Sequence, residues 1–168
     1  MLILTASNGK NRALAELVAE RAQALGHGSE LIDLVALDLP LFTPVRQAAG
    51  AGEPLEILAA VLRQQQRLWV CAPEYNGSLP PTLVNAIAWL STSTADFRAL
   101  FQGVPVALSS HSGGGGQKVV SAMRLQFAHL GAVVIGRELL SSATKAANPE
   151  SIDAMVSELH RLEPPALG

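Results

Sequence analysis

A run of polar and turn-forming residues, Pro73-Glu74-Tyr75-Asn76-Gly77-Ser78, directly follows the apolar stretch Leu68-Trp69-Val70-Cys71-Ala72. We number the three polar loops of the chain in sequence order, and this run is the second loop. Its composition suits a planar heterocycle, since amides near Gly77 can approach a ring closely, Tyr75 offers an aromatic face with a hydroxyl, and Ser78 adds a small polar group. The alternative is an ordinary turn between a strand and a helix, because the same residue types favour turns.

The first loop, Thr5-Ala6-Ser7-Asn8-Gly9-Lys10-Asn11-Arg12, lies between an apolar run and a helical pattern. The start of a helix offers unpaired amides and the positive end of the macrodipole, which together favour a phosphate. Ser7, Asn8 and Asn11 can add side-chain donors, and Lys10 or Arg12 can balance the charge. The alternative is a capped helix start with charges facing solvent. The loop lacks the glycine and the hydroxyl residue of a Walker A motif, and the chain has no G-x-G-x-x-G.

The third loop, Ser109-Ser110-His111-Ser112-Gly113-Gly114-Gly115-Gly116, separates another apolar run from a helix that we expect to begin near Gln117. Its glycines let the backbone pass against a flat ligand and direct amides at the polar edge of that ligand. A flexible linker is the alternative, although linkers rarely separate a buried strand from the helix packed on it. His111 is a candidate for the rim of a cofactor site, without a catalytic role.

Composition excludes several classes of function. The formal net charge is −2 and the basic residues form no patch, so we expect no nucleic-acid partner. The hydrophobic content of 49% is spread in short runs, so we expect neither a spanning helix nor a membrane partner. The start of the sequence shows no secretory leader, from which we expect a cytoplasmic protein. The single cysteine, Cys71, is expected to be a core residue.

Neither a metal site nor a catalytic set is visible in the sequence. The histidines stand far apart and without companion ligands, so we predict no metal. No Ser/His/Asp or Cys/His set occurs in a persuasive order, so we assign no catalytic residue. The histidine positions are His27, His111, His129 and His160.

Short apolar runs alternate with longer stretches of helical period along the whole chain. The predicted strands are Leu2–Ala6, Glu30–Leu34, Leu68–Ala72, Pro105–Ser109 and Ala132–Gly136. Their continuous apolar character is typical of strands that are buried on both faces of a parallel sheet. The last helix has clear boundaries, because Asn148 suits the N-cap, Pro149 suits the first helical position, and Pro164-Pro165 stops the helix.

These elements predict an α/β fold with five helices in a flavodoxin-like three-layer sandwich. The five-stranded parallel sheet has the order 2-1-3-4-5 with helices on both faces, and residues 1–168 form one domain. Ligands of such sheets bind outside the carboxyl ends of the strands, where all three loops would lie. We expect irregular structure at Asp38–Glu53 and Leu139–Asn148.

Together the loops resemble those of the NADPH-dependent FMN reductases, a family that includes quinone, azo-dye and chromate reductases. The resemblance covers nearly the whole chain and is most specific at Pro73–Pro80, followed by Leu83, Asn85-Ala86-Ile87 and Trp89-Leu90-Ser91. It implies FMN as cofactor, with Ser7, Asn8, Lys10 and Asn11 around the phosphate. It places Pro73, Glu74, Tyr75, Asn76, Gly77 and Ser78 beside the ribityl chain and the ring, together with Ser110, His111, Ser112, Gly113 and Gly114.

The chain departs from the family pattern in two places. The first loop is shorter than usual and lacks the typical Gly-Ser start and arginine. In the helix after the second loop, Val84 and Ala88 replace residues that are Lys and Asp in many relatives, so an i,i+4 ion pair is lost. That helix is apolar nearly all round and needs cover on its outer side. We therefore expect a homodimer or a tetramer.

The expected function is an NAD(P)H-dependent FMN reductase of the quinone reductase type. Hydride would pass from NADPH or NADH through FMN to a quinone, a flavin or a similar small acceptor. The alternative is a flavodoxin-like carrier or sensor that binds FMN without turning over NAD(P)H. Such carriers tend to be strongly acidic, which this chain is not. A flavin-free interaction module on the same fold is a third hypothesis.

Overall fold

A parallel five-stranded sheet organises the computed structural model, which describes residues 1–165. The strand order is β2-β1-β3-β4-β5, so the predicted flavodoxin-like order is confirmed. The strands are β1 (Leu2–Thr5), β2 (Glu30–Asp33), β3 (Leu68–Cys71), β4 (Pro105–His111) and β5 (Val133–Ser141).

The two faces of the sheet hold separate apolar cores. Leu2, Leu4 and Val70 point to one face, whereas Ile3 and Trp69 point to the other, and all of these side chains are buried. The central strands β1, β3 and β4 are therefore apolar in both alternating positions, as expected of strands covered on both sides.

Helices cover both faces. Helices α1 and α7 pack on one face, and α4, α5 and α6 pack on the other. The helices are α1 (Lys10–Ala24), α2 (Leu34–Leu37), α3 (Pro44–Ala49), α4 (Glu53–Gln65), α5 (Pro81–Thr92), α6 (Gln117–His129) and α7 (Pro149–Arg161). None of the helices within residues 1–165 combines the length and the apolar character needed to cross a bilayer.

Sequence and structure differ in the two segments predicted to be irregular. Asp38–Glu53 contains α3, which Thr43 caps by accepting a hydrogen bond from Arg46 N–H at 3.1 Å. The prediction for Leu139–Asn148 is wrong in its first part, because β5 continues to Ser141 and β4 to His111. Backbone pairing between β4 and β5 decides the structure there, where local composition had suggested a loop.

The last helix begins as predicted. The side-chain oxygen of Asn148 accepts a hydrogen bond from Glu150 N–H at 2.9 Å, and Pro149 occupies the first helical position. The helix ends at Arg161, ahead of the two prolines. This confirms the reading of Asn148 and Pro149 as a helix start.

The outer side of α5 is partly covered by the same chain. Asn85 accepts a hydrogen bond from Phe42 N–H at 2.7 Å and donates to the carbonyls of Leu39 and Pro40. Trp89 Nε1 also donates to Pro40 O, at 2.7 Å. Residues 39–42 therefore lie over this helix. Val84 remains 42% exposed.

Candidate functional site at the carboxyl edge of the sheet

The sheet order brings the three loops together at one edge. They follow β1, β3 and β4, which are direct neighbours and run parallel, so their carboxyl ends meet at the same place. We call this the carboxyl edge. It is the position at which ligands bind in open α/β sheets.

A buried bridge joins the first loop to the third loop. The Asn11 side chain, only 2% exposed, donates from Nδ2 to His111 O at 2.9 Å and accepts from His111 N–H at 2.8 Å. Both ends of the Asn11 amide are thus committed to backbone that lies 100 residues away. The side chain of Asn11 is therefore not available to a phosphate, and only its backbone N–H is free to bind one.

Further hydrogen bonds tie the second loop to its neighbours. The hydroxyl of Ser112 accepts a hydrogen bond from Glu74 N–H at 2.8 Å, which joins the second loop to the third. The hydroxyl of Thr82, at the start of α5, donates to Ala6 O at 2.8 Å. These contacts hold the three loops in fixed relation to one another.

The first loop presents a row of unpartnered backbone donors. The amides of residues 7–12 have no acceptor within the part of the chain that the structure describes. Gly9 occupies the N-cap position of α1 and supplies no side-chain cap, and the first turn holds no acidic residue. A helix start with free amides and no acidic neighbour is an anion-binding arrangement.

The cations of the first loop have different surroundings. The Arg12 guanidinium pairs with Glu16 at 3.0 Å and with the buried carboxylate of Asp33 at 2.8 Å, and these two acids raise the pKa of Arg12. The Lys10 side chain is exposed and forms no ion pair within residues 1–165. Of the two, Lys10 is therefore the cation available to an anion. Ser7 and Asn8 lie at least partly in solvent beside it.

The second loop is a tight two-residue turn. Tyr75 and Ser78 exchange backbone hydrogen bonds at 3.1 and 2.9 Å, and Asn76 and Gly77 both have positive φ angles, 51° and 73°. Pro73 is buried, whereas Tyr75 is 50% exposed. The turn thus holds an aromatic ring at the surface of the carboxyl edge.

The serine side chains of the third loop are buried, whereas its first glycines are exposed to solvent. Ser110 and Ser112 are buried, with their hydroxyl oxygens 2.9 Å apart. Gly113 and Gly114 are exposed, and their amides have no acceptor within the described chain. The serine side chains therefore stabilise the loop, and the glycine backbone is the part that a ligand can reach.

The imidazole ring of His111 forms a hydrogen bond with a buried serine. Its Nδ1 lies 3.1 Å from the hydroxyl of Ser141, which is 2% exposed. A cavity of about 230 Å³ lies beside it, with Lys10 and His111 on its polar side and Leu14 and Leu17 on its apolar side. His111 and Lys10 thus line one hollow behind the first loop.

Sequence reasoning missed two side chains at this edge. No role was predicted for Thr82, although its hydroxyl donates a hydrogen bond to Ala6 O in the first loop. Lys118 lies on α6, and a Cβ placed on Gly77 would be 3.4 Å from its Cδ. The only local signal for Lys118 was a basic residue in the first turn of a helix, where positive charge is unfavourable.

Cys71 has no role at this edge. Its thiol is fully buried and accepts a hydrogen bond from the Ser109 hydroxyl at 3.1 Å. Burial raises the pKa of Cys71 to about 12, so the thiolate is not populated near neutral pH. The expectation of a core cysteine is met.

Comparison of the sequence with known families identifies the protein's relatives. Residues 1–146 match the NADPH-dependent FMN reductase family. The chain belongs to this family. At the level of the family, this confirms the predicted enzyme class and the predicted FMN and NAD(P)H.

Individual relatives cover less of the chain. A quinone reductase of Escherichia coli K12 is 35% identical over 99 residues, which are 58% of this chain and 48% of the relative. An NADPH azoreductase of Bacillus sp. strain OY1-2 is 26% identical over 134 residues, which are 79% of this chain and 68% of the relative. The match to the quinone reductase therefore spans about half of that protein's length.

Solved structures show the same fold. FerB of Paracoccus denitrificans, a flavoenzyme NAD(P)H:(acceptor) oxidoreductase, has a TM-score of 0.76 at 20% identity, covering 96% of this chain and 97% of FerB. A cysteine-to-serine variant of a flavodoxin from Pseudomonas aeruginosa has a TM-score of 0.63 at 15% identity, with coverage of 96% and 97%. At these identities the likeness concerns the fold.

The residues at the carboxyl edge fit FMN chemically. The free amides of residues 7–12 and Lys10 match a phosphate monoester. The free amides of Gly113 and Gly114 match carbonyl oxygens of a ring. No cluster of at least three His, Cys, Asp or Glu side chains suited to a metal occurs among residues 1–165.

Proposed function

We propose that the protein is an FMN-dependent NAD(P)H oxidoreductase that serves a quinone, a flavin or a similar small acceptor. The observation that carries this is the row of free amides at residues 7–12, on a loop that hydrogen bonds hold to the third loop and to the start of α5. Unpaired donors held in place by buried contacts are preorganised for an anion. The proposed FMN-binding domain comprises the whole chain.

The chain's own residues have binding and orienting roles. The first loop holds the phosphate through its backbone and Lys10. The second and third loops hold the ring between Tyr75 and the glycines of residues 113–114. Rigid placement of the ring against the nicotinamide lowers the entropic part of the barrier to hydride transfer, because the two reactants are already oriented. FMN, when bound, supplies the hydride and electron chemistry, so no side chain is needed as a nucleophile.

The relatives and the open edge support the proposed acceptor class. Their names point to quinones and azo compounds, whose conjugated systems are flat. Tyr75, half exposed beside the proposed ring site, offers a face on which such molecules can stack. A flat acceptor would therefore occupy the same side as the nicotinamide, after that nucleotide has left.

The proposed assembly is a homodimer or a tetramer. Apolar side chains on and beside the segment that covers α5 are exposed: Leu41 by 75%, Val45 by 83% and Val84 by 42%. Exposed apolar side chains grouped in this way favour association with another subunit. Sizing across micromolar concentrations tests this, and a monomer throughout would contradict it.

We also propose that the protein is located in the cytoplasm, where NADPH is regenerated.

Purified protein tests the proposal directly. We expect visible absorbance typical of bound flavin, and loss of that absorbance within minutes when NADPH or NADH is added without oxygen. Free FMN at the same concentration, mixed with the same nicotinamide, is the control for uncatalysed reduction. Colour that neither nicotinamide bleaches would favour the electron carrier or sensor and would contradict the reductase.

An acceptor panel then defines the substrate class. The panel contains a benzoquinone, a naphthoquinone, free FMN and an azo dye, each with NADPH and with NADH as reductant. We expect turnover with at least one flat acceptor. Bleaching of the bound flavin without turnover of any acceptor would contradict the proposed substrate class and leave the flavin site intact.

A further inference from the structure

All three lysines of the chain lie at the carboxyl edge, and none of them forms an ion pair within residues 1–165. Lys10 is the first residue of α1, which follows β1. Lys118 lies in the first turn of α6, which follows β4, and Lys145 comes four residues after the end of β5. Free ammonium groups are therefore concentrated at the edge where we propose that the ligands bind.

The charge of Lys118 does not stabilise the helix that carries it. A cation in the first turn of a helix is unfavourable, because the amides there already carry partial positive charge. Helices α4 and α7 follow the usual preference, with Glu53 and Glu150 in their first turns, whereas the first turns of α1 and α6 contain no acidic residue. A negatively charged ligand beside Lys118 would offset this unfavourable charge.

The side chain of Lys118 lies against the second loop. Its Cδ is 3.4 Å and its Nζ 3.8 Å from the place that a Cβ on Gly77 would occupy. Gly77 belongs to the same tight turn as the half-exposed Tyr75. The exposed ammonium of Lys118 is therefore next to the loop on which we propose that flat molecules stack.

A tight turn fixes the position of Lys145 on the other side of the start of α6. Ser142 and Lys145 exchange backbone hydrogen bonds at 2.8 and 3.3 Å, and Thr144 N–H donates to the Ser142 hydroxyl at 3.3 Å. Lys145 is the only charged residue that lines a hollow of about 280 Å³. The other residues that line it are Gly115, Gln117, Leu140, Ser141 and Ser142.

The acid beside this hollow is already paired with an arginine. Glu138 accepts a hydrogen bond from the Gln117 side chain at 3.2 Å and forms an ion pair with Arg124 at 2.9 Å. Glu74, on the second loop, forms no ion pair with either lysine within residues 1–165. Lys118 and Lys145 are therefore available to an anion from solution.

The proposed reaction supplies more phosphate groups than Lys10 alone can bind. FMN has one phosphate, which we assign to the first loop. NADPH and NADH share a pyrophosphate, and NADPH adds a 2′-phosphate. A lysine ammonium binds a phosphate as a compact point charge.

We infer that Lys118 and Lys145 bind phosphate groups of the nicotinamide nucleotide, one on each side of the start of α6. This inference rests on the proposed function. The two lysines are thus specificity residues for the reductant. They take no part in holding FMN.

Anaerobic reduction of the FMN-loaded protein tests the inference without an electron acceptor. Stopped-flow absorbance at several NADPH concentrations gives the dissociation constant of NADPH and the limiting rate of flavin reduction. In the double variant Lys118→Gln/Lys145→Gln, the dissociation constant should rise about 10- to 100-fold, as expected when hydrogen bonds to charged groups are lost. The limiting rate should stay within about twofold of the wild type, because the flavin site is unchanged.

The same measurement with NADH identifies the phosphate that is bound. A loss confined to NADPH assigns the lysines to the 2′-phosphate, and a similar loss for both nucleotides assigns them to the shared pyrophosphate. Either result supports the inference. Unchanged dissociation constants for both nucleotides in the double variant would overturn it.

A second double variant controls for the loss of two positive charges. Arg63→Gln/Arg161→Gln removes exposed cations near the ends of α4 and α7, and both dissociation constants should stay at their wild-type values. Equal losses in the two double variants would reduce the effect to net charge and overturn the inference. A contact between subunits is the competing explanation for the free lysines. Altered subunit association in the lysine variant, with unchanged dissociation constants, would support that contact and overturn the inference.

Failure of the inference can be distinguished from failure of the proposed function. A wild-type protein whose bound flavin is bleached by neither nucleotide contradicts the proposed function, and the inference falls with it. A wild-type protein that is bleached, together with a lysine variant that binds both nucleotides equally well, contradicts only the role of Lys118 and Lys145.

Discussion

The strands begin at the opposite end of the sheet from the carboxyl edge, and we call that end the amino edge. The two ends satisfy their polar groups in opposite ways. At the amino edge, Arg67 donates to the carbonyls of Leu159 and Leu162 at 3.2 and 3.1 Å. Nearby, the rings of His27 and His160 stack with their centroids 3.7 Å apart. At the carboxyl edge, by contrast, the amides of residues 7–12 have no acceptor in the described chain.

This difference separates stability from function within one sheet. Contacts at the amino edge are made by the chain to itself, so they contribute to folding. The carboxyl edge uses a few buried bridges to hold its loops and leaves the remaining donors free. Exposed amides at a helix start are hydrated in the free protein and remain open to an anion. Substitutions at the two edges should therefore separate into effects on folding and effects on FMN.

The largest expected effect comes from the bridge at the carboxyl edge. Asn11→Ala removes both hydrogen bonds to His111 and leaves that backbone unpaired, so we expect a loss of about 3 kcal/mol in the free energy of unfolding. FMN affinity should fall by at least about 100-fold, because the first and third loops are no longer held together. Chemical denaturation and flavin titration measure these effects.

The exposed Asn8 provides the control for this bridge. Asn8→Ala should leave the free energy of unfolding within about 0.5 kcal/mol of the wild-type value, because its side chain is in solvent. If Asn11→Ala were as stable as Asn8→Ala, the bridge would not be what holds the loops.

A pair of glycine substitutions tests how tightly the third loop is packed. A Cβ on Gly116 would lie 2.7 Å from Cβ and Oγ of Ser110, at a φ of 78°. Gly116→Ala should therefore destabilise the protein by about 2–3 kcal/mol. Gly115→Ala has a φ of 90° and open space around the new Cβ, so it should cost only about 1 kcal/mol of backbone strain. Equal losses in thermal unfolding would contradict this packing.

At the amino edge, stability should change without any change in FMN affinity. Arg67→Ala removes the hydrogen bonds to Leu159 and Leu162, and we expect a loss of about 1–2 kcal/mol in the free energy of unfolding. Arg63→Ala, an exposed residue near the end of α4, is the matched control and should have little effect. A marked loss of FMN affinity in Arg67→Ala would break the separation between the two edges.

The smallest expected effect is a pH dependence at the amino edge. Burial lowers the pKa of His160, and the neighbouring charges of His27 and Arg67 lower it further, although the Val156 carbonyl opposes this. The unfolded chain takes up this proton near pH 6.5, at about the ordinary pKa of histidine, whereas the folded protein does so only at lower pH. Stability should therefore fall as pH drops from about 7 towards 5.

Substitution of the histidine isolates this contribution. His160→Gln should flatten the decline in the midpoint of thermal unfolding between about pH 7 and 5. His129→Gln, at an exposed position, should leave the decline unchanged. Identical pH profiles for the wild type and His160→Gln would assign the pH dependence to other groups.

Local sequence patterns were sufficient for the order of the strands, but the short helices α2 and α3 were not among the five helices predicted. The predicted first residues of β1, β2, β3 and β4 are those observed, and the predicted start of β5 differs from the observed start by one residue. The ends of β4 and β5 were missed, because residues such as Ser141 pair with a neighbouring strand whatever their own preference. Strand length here depends on long-range pairing, which a local pattern does not contain.

The candidate site was predicted in outline and not in its internal contacts. Small polar residues identified the loops, but the same residues suit a ligand and a loop-stabilising contact equally well. Asn11 and Ser112 were expected to face the cofactor, yet their side chains hold the loops together.

The central claim is that the free amides of the first loop hold the phosphate of FMN. Titration of the flavin-free protein with FMN and with riboflavin, which lacks only the phosphate, tests this most directly. We predict that FMN binds at least about 100-fold more tightly, as expected for several charge-assisted hydrogen bonds. Equal affinities for the two flavins, or no binding of either, would contradict the account.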